Sequence, residues 1–402
     1  MQKLKNNILI SVGLIVCGLV YFLWIVFQNR TVLFRTYNPV QAEKTYSQSQ
    51  WQQSQNVAED KVLDEWAIKN GYTGWKNFED EIVSKSKIQN QKSKIIKDIQ
   101  NKGVSDSFLY GYVGYKYTGG TNPSLLNPEH PPLAKYLIGY SIRIFGNEHV
   151  VGIGIAFATL LLVALVSYLM YESLLYAGLA LFLTSTFPLF SDQIINGPQL
   201  ELYQLFFFLL LTCFLLLWMK KKKIIFCIVA GLCYGMLLST KTLLPFLFLF
   251  SAWLFISFWK QWKMLLIVFV MGAITFCFTY YSYFLHGGTL HTFLGLQKYI
   301  ITYYGNAHVP LLEFAGNYLR LIITGMWKFW DRARTVSAYS EWNIIWPLIF
   351  FVGMGRLKFR WISHKNTHFL IWFIVLYNLF VFIIPIFPRY LLLLFIPLII
   401  LI

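Results

Sequence analysis

The sequence has few charged residues, and most of its acidic residues lie in one region near the start. Only 13% of the 402 residues are Asp, Glu, Lys or Arg, whereas about a quarter are charged in a typical soluble domain. Hydrophobic residues make up 57% of the chain and aromatic residues 19%. This composition excludes a globular cytoplasmic enzyme and predicts one bundle of membrane-spanning helices.

The sequence also lacks the motifs of common soluble catalytic domains. It contains no P-loop, no H-E-x-x-H, no Asp-x-Asp and no G-x-S-x-G element. Gly152 and Gly154 begin a G-x-G pattern, but Phe157 stands where the third glycine belongs, inside an apolar run. We therefore expect no nucleotide cofactor and interpret these glycines as packing residues.

No cysteine lies in the long polar region, which excludes a disulfide framework or a zinc knuckle there. All five lie inside apolar runs: Cys17, Cys213, Cys227, Cys233 and Cys277.

The formal charge of +16 is distributed as in a membrane protein. Residues 28–131 carry 13 basic and 11 acidic residues, so the rest of the chain has 21 basic and only 7 acidic residues. Ten of those basic residues form three clusters between apolar runs, at 220–223, 260–263 and 356–365. The positive-inside rule places such clusters in the cytoplasm, and we expect no nucleic-acid partner.

The apolar runs predict about ten crossings of the membrane. The first, at 8–27, has the roughly 20 residues needed to span about 30 Å of hydrocarbon, and Lys3 and Lys5 place its N-terminus inside. The others are at about 149–170, 174–190, 198–219, 224–240, 243–259, 264–285, 343–355, 367–386 and 390–402. The last run ends at Ile402 without a polar tail, as expected of a fragment or of a chain without a final element.

A further stretch, 132–147, is expected to lie on the outer membrane surface rather than to cross, because a crossing would turn the lysines at 220–223 outward. Its Lys135 and Arg143 fall 80° apart on a helical wheel, opposite an apolar stripe. We thus expect one domain, 1–402, with a first extracytoplasmic loop at 28–147. That loop contains a soluble helical insertion at about 38–104 and the amphipathic surface helix at 132–147.

Candidate chemistry lies on the predicted outer side. Asp106 precedes the block 129–135 (EHPPLAK), where a carboxylate and a cation-bearing helix start are suited to attack on a phosphate-linked substrate. Lys241 and Arg389 are the sole basic residues in two otherwise apolar outward turns, where a charge is costly enough to suggest a function. Interfacial anchoring is the alternative for both residues. His286, His291 and His308 are candidate metal ligands, or ordinary loop histidines.

Four blocks resemble the GT-C class of integral membrane glycosyltransferases, specifically protein O-mannosyltransferases and the transferases that add aminoarabinose to lipid A. The block EHPPLAK at 129–135 is similar to their His-Pro-Pro-Leu signature, and the others follow in the same order. These are GLCYG at 231–235 with STK at 239–241, SEW at 340–342 with WPL at 346–348, and PRYL at 388–391.

The resemblance implies transfer of one sugar from a polyprenyl-phosphate carrier to a protein, lipid or glycan acceptor, usually with inversion. It implies that Asp106 is the general base and that Glu129 and His130 lie beside the donor phosphate or a divalent metal. Glu201 resembles the family's second acid, although the usual Leu-Asp-x-Pro context is absent and Asp192 is a rival. An Asp64-Glu65 pair inside the insertion is the alternative to Asp106 as the base.

We therefore predict an all-α polytopic membrane protein that acts as a GT-C glycosyltransferase at the outer face of the cell membrane. Asp106 is predicted to be catalytic, and His130, Lys241 and Arg389 to bind the donor phosphate. Glu129 and Glu201 are candidate ligands of a divalent metal, the one cofactor we consider. A transporter or flippase of lipid-linked glycans is the alternative, and it predicts charges near mid-span or discontinuous helices.

Overall fold

The computed structural model describes residues 2–47, 104–241, 243–305, 311–329 and 335–402. Most of the predicted insertion at 38–104, including Asp64 and Glu65, lies outside these residues, as does His308. The regular secondary structure of the described part is helical apart from one short antiparallel pair of strands, so the expectation of an all-α membrane protein is confirmed at that level.

The first half of the chain contributes ten helices. They are α1 (Gln2–Gln28), α2 (Arg30–Leu33), α3 (Pro39–Ser47), α4 (Asp106–Thr118), α5 (Leu133–Phe145), α6 (Val150–Tyr171), α7 (Leu174–Thr186), α8 (Pro188–Ile195), α9 (Leu200–Lys221) and α10 (Ile224–Leu238). Helix α3 lies at the start of the predicted insertion and packs against α4.

The second half contributes eight helices and two strands. They are α11 (Leu243–Phe258), α12 (Trp262–Thr279), α13 (Tyr281–Leu285), α14 (Leu290–Gly305), α15 (Asn317–Thr324), β1 (Met326–Lys328), β2 (Val336–Ala338), α16 (Ile345–Ser363), α17 (His368–Ile383) and α18 (Leu392–Leu401). Four 3₁₀ turns lie between them, at Trp259–Gln261, Leu311–Phe314, Lys365–Thr367 and Pro388–Leu391.

Five helical stretches of the described residues are long and apolar enough to span a membrane, or six if the bent pair α7–α8 forms one span. The five are Asn7–Gln28, Val150–Tyr171, Leu200–Lys221, Pro245–Thr279 and Lys365–Ile383. The helices Ile224–Leu238 and Pro388–Leu401 are apolar but shorter. These helices support the prediction of a multi-pass membrane protein, whereas the count of ten crossings stays a prediction.

The stretch Pro245–Thr279 combines two helices that run in opposite directions. Gly231 and Gly235 of α10 lie against Val268 and Gly272 of α12 in the same order, so α10 and α12 run parallel. Thr279 at the end of α12 donates a hydrogen bond to Ser239, just beyond α10, at 3.0 Å. Because α11 leads from the end of α10 back to the start of α12, it runs antiparallel to both.

Each end of the bundle carries a different set of charges. On α9, Glu201 lies in the first turn and Lys220 and Lys221 in the last, and 22 residues at 1.5 Å each separate the ends by about 33 Å. Lys220 forms an ion pair with Glu172, which follows α6, so α6 runs antiparallel to α9. One end is therefore marked by Glu201 and the opposite end by the four-lysine cluster.

The interpretation of Lys135 as a solvent-facing residue of an amphipathic helix was wrong. Lys135 is fully buried, because α5 packs closely on α4 at Gly114 and Gly139. The two backbones touch there, and a Cβ on either glycine would collide with the backbone of the other helix. The exposed side of α5 carries Arg143 with Tyr140 and Ile144. A helical wheel gives the angle between two side chains but does not say which face meets the rest of the protein.

Candidate functional site

Asp106 is positioned by a capped helix start. It is the first residue of α4, and the Ser105 side chain caps that helix by accepting a hydrogen bond from the Phe108 amide. A carboxylate in the first turn is also stabilised by the helix dipole. Asp106 keeps about a third of its side chain exposed, so it remains accessible from outside the protein.

Arg389 lies at the centre of the site, in the 3₁₀ turn Pro388–Leu391 that precedes α18. Its guanidinium forms an ion pair with Asp106, 283 residues earlier in the chain. Its Nε lies 2.7 Å from Oε1 of Glu201, an ion pair, and its Nη1 donates a hydrogen bond to Oε1 of Gln199 at 3.2 Å. Arg389 thus joins the starts of α4 and α9.

Glu201 and Lys241 extend this arrangement into the protein. The carboxylate of Glu201 also accepts a hydrogen bond from Lys241, and both side chains are at least 95% buried. The Lys241 ammonium lies 3.6 Å from the ring centre of Tyr390, a cation–π contact. Asp106, Arg389, Glu201 and Lys241 therefore form one continuous line of alternating charges, which we call the ion-pair chain.

The loop before α5 brings Glu129 and His130 to the same place. Lys135 donates hydrogen bonds to the backbone oxygens of Asn127 and His130, at 2.5 and 2.8 Å. These two bonds fix the position of the loop relative to α5. The Leu133 amide donates a hydrogen bond of 3.1 Å to the backbone oxygen of Ser239. Ser239 precedes Lys241 by two residues. The blocks at 129–135 and 239–241, which are far apart in sequence, are therefore in direct contact.

Burial and neighbouring charges shift the proton affinities in this loop. Burial, together with repulsion from Lys135, Lys241 and Arg389, lowers the pKa of His130 well below its usual 6.5. The imidazole is consequently neutral at pH 7 and offers a hydrogen bond instead of the positive charge that a phosphate ligand was expected to meet. Burial also raises the pKa of Glu129, an effect that the nearby Lys135 opposes.

Lys135, Gln199 and Tyr390 were not among the predicted site residues. Lys135 stands within the EHPPLAK block, so the sequence signal was present but was assigned to the polar face of a helix. Gln199 and Tyr390 adjoin Glu201 and Arg389 in sequence and contact the ion-pair chain. Neither has a property that distinguishes it from a loop residue before its tertiary contacts are known.

The rival residues lie apart from the ion-pair chain or outside the described residues. Asp192 accepts hydrogen bonds from Gln193 at 3.0 Å and Asn196 at 2.6 Å and has no ion pair within the described part of the chain. Nδ1 of His286 contacts the Ser282 backbone oxygen at 2.6 Å, and His291 belongs to α14. The alternative base pair at 64–65 stays untested because it is not described.

One of the two predicted metal ligands is already engaged by cations. The carboxylate of Glu201 already meets two cations, and among the described residues no group of three or more His, Cys, Asp or Glu side chains comes together as a metal site would require. A metal role for Glu129 and Glu201 stays a prediction.

The charges of the site are balanced within the described residues. In the ion-pair chain two acids, Asp106 and Glu201, alternate with two cations, Arg389 and Lys241. An anion that enters this site must therefore displace a carboxylate from a cation or share that cation with it. Arg389 is the best placed to exchange partners, because the side chains of Arg389 and Asp106 are more exposed than those of Lys241 and Glu201.

Comparison with known proteins does not add to these observations. No protein-family model and no curated protein matches the chain. The resemblance to GT-C transferases thus rests on the four short blocks, three of which contribute residues to one contiguous site.

Proposed function

We propose that this protein is a GT-C-type glycosyltransferase that moves one sugar from a polyprenyl phosphate to an acceptor at the outer membrane face. The observation that carries the proposal is the ion-pair chain of Asp106, Arg389, Glu201 and Lys241. These residues come from four distant segments, yet they combine a proton acceptor with two cations at one end of the bundle. That combination matches the needs of a phosphate-linked donor.

In the proposed step the acceptor hydroxyl attacks the anomeric carbon from the face opposite the phosphate. The new bond joins the acceptor oxygen to that carbon, and the bond between the carbon and the phosphate oxygen breaks. Asp106 takes the acceptor's proton, and the electron pair of the broken bond leaves with the phosphate. Arg389 and Lys241 stabilise the phosphate as its charge develops, and neutral His130 donates a hydrogen bond.

The pair between Asp106 and Arg389 gives this step an order. The hydrogen bond from Arg389 to Oδ2 holds the Asp106 carboxylate toward the guanidinium rather than toward an acceptor hydroxyl. A phosphate is a strong competitor for a guanidinium because it accepts the two-pronged fork. Arrival of the donor phosphate at Arg389 therefore frees Asp106, so we expect the donor to bind before the acceptor.

The membrane arrangement belongs to the same proposal. The N-terminus and the clusters at 220–223, 260–263 and 356–365 face the cytoplasm of a cell membrane, the chain crosses about ten times, and the ion-pair chain faces outward. A polyprenyl tail then lies between helices while its phosphate reaches Arg389 at the surface. This accounts for a polar site built on the ends of apolar helices.

The proposal is tested with purified protein in detergent and radiolabelled polyprenyl-phosphate sugars presented with a membrane lipid and protein extract. Wild-type protein should transfer label to an acceptor, and Asp106→Asn should slow transfer by about 10²–10⁴-fold, the usual contribution of a positioned base. Donor binding should persist, because the asparagine keeps the shape of the side chain.

Asp192→Asn is the matched control, since this acid lies on α8 and outside the ion-pair chain. It should leave the rate unchanged. Full activity of Asp106→Asn would remove this residue as the base, and loss of activity in Asp64→Asn would transfer the role to the region 48–103. Absence of transfer from every donor by the wild-type protein would reject the proposed function.

One observation favours the transporter as a second candidate. Helices α7 and α8 meet at a bend of 56° around Phe187, the broken-helix geometry that transporters use at their substrate sites. Reconstituted vesicles with fluorescent lipid-linked sugar on one leaflet separate the two functions. A transporter moves the label across without changing it, whereas a transferase cleaves it from the carrier phosphate.

A further inference from the structure

The guanidinium of Arg389 is held by the protein along one edge and over one face. Along the edge, Nε lies 2.7 Å from Oε1 of Glu201, whose side chain is only 3% exposed and also pairs with Lys241. Over the face, the ring of Phe387 lies with its centre 4.8 Å from Cζ. The edge formed by Nη1 and Nη2 is therefore the part of the guanidinium that can exchange its partners.

That edge has two partners, one on each nitrogen. Nη2 pairs with Oδ2 of Asp106, whose side chain is about a third exposed. Nη1 donates a hydrogen bond to Oε1 of Gln199, a half-buried residue, at 3.2 Å. A phosphate that accepts the two-pronged fork of an arginine needs both nitrogens. Such a phosphate must therefore replace Gln199 as well as Asp106.

The side chain of Gln199 is free of other structural duties that would oppose its release. Gln199 directly precedes α9, where a side chain often caps the helix, but it makes no capping hydrogen bond. Its Nε2 donates to the backbone oxygen of Asn196 at 3.2 Å, so the amide is oriented with its oxygen toward Arg389. Both bonds are at the long end of the usual range.

Charge decides which ligands can take the place of Gln199. Its amide oxygen carries a partial charge, whereas a phosphate oxygen carries an ionic one and accepts a hydrogen bond from a guanidinium more strongly. An uncharged hydroxyl gains nothing by the exchange. We infer that Gln199 is a specificity-determining residue, which occupies one prong of Arg389 until a charged phosphate replaces it. This inference rests on the proposed function and adds a second contact that the donor must break.

The test measures binding of radiolabelled farnesyl phosphate, in mixed detergent micelles, to the purified full-length protein by scintillation proximity. Gln199→Ala should bind about tenfold more tightly than wild type, the order expected when one hydrogen bond to a charged group no longer has to be broken. Gln199→Glu should bind about tenfold more weakly, because a carboxylate competes with the phosphate for the same nitrogen on nearly equal terms.

The gain of affinity in Gln199→Ala is the diagnostic result. A glutamine that only supported the loop, or that bound the phosphate itself, would lower the affinity when removed. Asn196→Ala is the matched control, because it lies in the same loop, keeps the backbone oxygen that Gln199 uses and has its side chain on Asp192. It should bind as wild type does. Unchanged or weaker binding in Gln199→Ala, or an equal gain in Asn196→Ala, would overturn the inference.

Two unlabelled competitors identify the chemical group that is selected. Farnesol has the same apolar tail without the phosphate and should compete poorly in wild type. Farnesol that competes as well as farnesyl phosphate would contradict selection by charge. Inorganic phosphate that competes equally well, with the variants in the predicted order, would support the exchange at Gln199 and reject a lipid-linked donor.

The transfer assay separates this inference from the proposed function. Sugar transfer by the wild-type protein, together with unchanged affinity in Gln199→Ala, would reject the role of Gln199 and leave the transferase standing. The predicted order of affinities in a protein that transfers no sugar would support the role of Gln199 and reject the transferase.

Discussion

The two ends of α9 hold the same kinds of charged residue in opposite surroundings. At the Glu201 end, Lys241 is buried between a carboxylate and the Tyr390 ring. At the other end, Lys220 pairs with Glu172, whose side chain is three-quarters exposed. A lysine that water already solvates helps to set orientation in the membrane, whereas a lysine removed from water needs a partner and is available for chemistry.

The difference between the two ends predicts that they face opposite sides of the membrane. Lys221→Cys and Asn196→Cys each place a thiol at an exposed position, one at either end, in a background without the five native cysteines. In intact cells a membrane-impermeant maleimide should label the thiol at 196 and leave the one at 221 unlabelled. Both should label once the membrane is permeabilised.

Equal labelling of the two thiols in intact cells would contradict the orientation and remove the basis for an external site. The variant Lys223→Cys provides a second inner position if the thiol at 221 reacts slowly for local reasons.

The lysine cluster at one end of α9 was predictable from the sequence, because it lies between apolar runs and contains no acidic residue. The convergence of Asp106, Glu129, His130, Glu201, Lys241 and Arg389 was anticipated as a shared outer site. Their pairing was not, since an ion pair between residues 283 positions apart depends on how the helices pack. The sequence thus indicated which charges share a region but not that each cation already has an acid.

The burial of Lys135 and the neutrality of His130 escaped prediction for the same reason. Both follow from the contact of α5 with α4 and with Ser239, which is a tertiary property. The spacing of apolar residues predicted the helix at 133–145 within a few residues, because that spacing is a property of the local sequence. It could not tell that the lysine-bearing face is the packed one.

Loss of an ion pair should lower the free energy of unfolding more at the Glu201 end than at the Lys220 end. Lys241→Gln leaves the Glu201 carboxylate buried beside Arg389 alone, and loss of one partner of a buried pair costs about 3–5 kcal/mol. We expect the free energy of unfolding in detergent to fall by that order. Lys220→Gln, at the solvated end, should leave it unchanged within error.

The double variant Lys241→Gln, Glu201→Gln tests the physical reason. Because it leaves no unpaired charge, it should recover much of the stability lost in the single variant. A single Lys241→Gln variant as stable as wild type would show that this lysine is solvated and does not belong to the buried chain.

Arg389 should affect turnover in addition to folding, because its loss leaves both Asp106 and Glu201 without one ion-pair partner. Its loss removes one stabilising contact to the leaving phosphate, which costs about 2–4 kcal/mol in the transition state by analogy with an oxyanion donor. Since 1.4 kcal/mol is a factor of ten, Arg389→Gln should lower kcat/KM by about 30- to 1,000-fold. Arg389→Lys should restore only part of this, because an ammonium keeps the charge but lacks the two-pronged fork.

Arg356→Gln, in the cluster at the other end, is the matched control and should leave kcat/KM unchanged. Full recovery of activity by Arg389→Lys would indicate interfacial anchoring, for which lysine substitutes well. Unchanged kcat/KM in Arg389→Gln would take this residue out of the phosphate site.

The smallest expected effect is a dependence of stability on pH that comes from Lys135. Burial lowers the pKa of Lys135 from 10.5 to about 7, although Glu129 opposes the shift. Between pH 7 and pH 9 the unfolded chain therefore keeps a proton that the folded protein has released, and the folded state gains stability as the pH rises. One unit of pKa corresponds to about 1.4 kcal/mol, so the gain over this window is about 2 kcal/mol.

Lys135→Met removes the titrating group and keeps a chain of similar length in the same buried position. Its absolute stability should fall, because the oxygens of Asn127 and His130 lose their donor. The diagnostic quantity is the slope: the midpoint of thermal unfolding should rise from pH 7 to pH 9 in wild type and rise less in the variant. Lys220→Met, at the solvated end, should keep the wild-type slope. Equal slopes in wild type and Lys135→Met would mean that Lys135 stays protonated when folded, and its charge would then count fully toward an incoming phosphate.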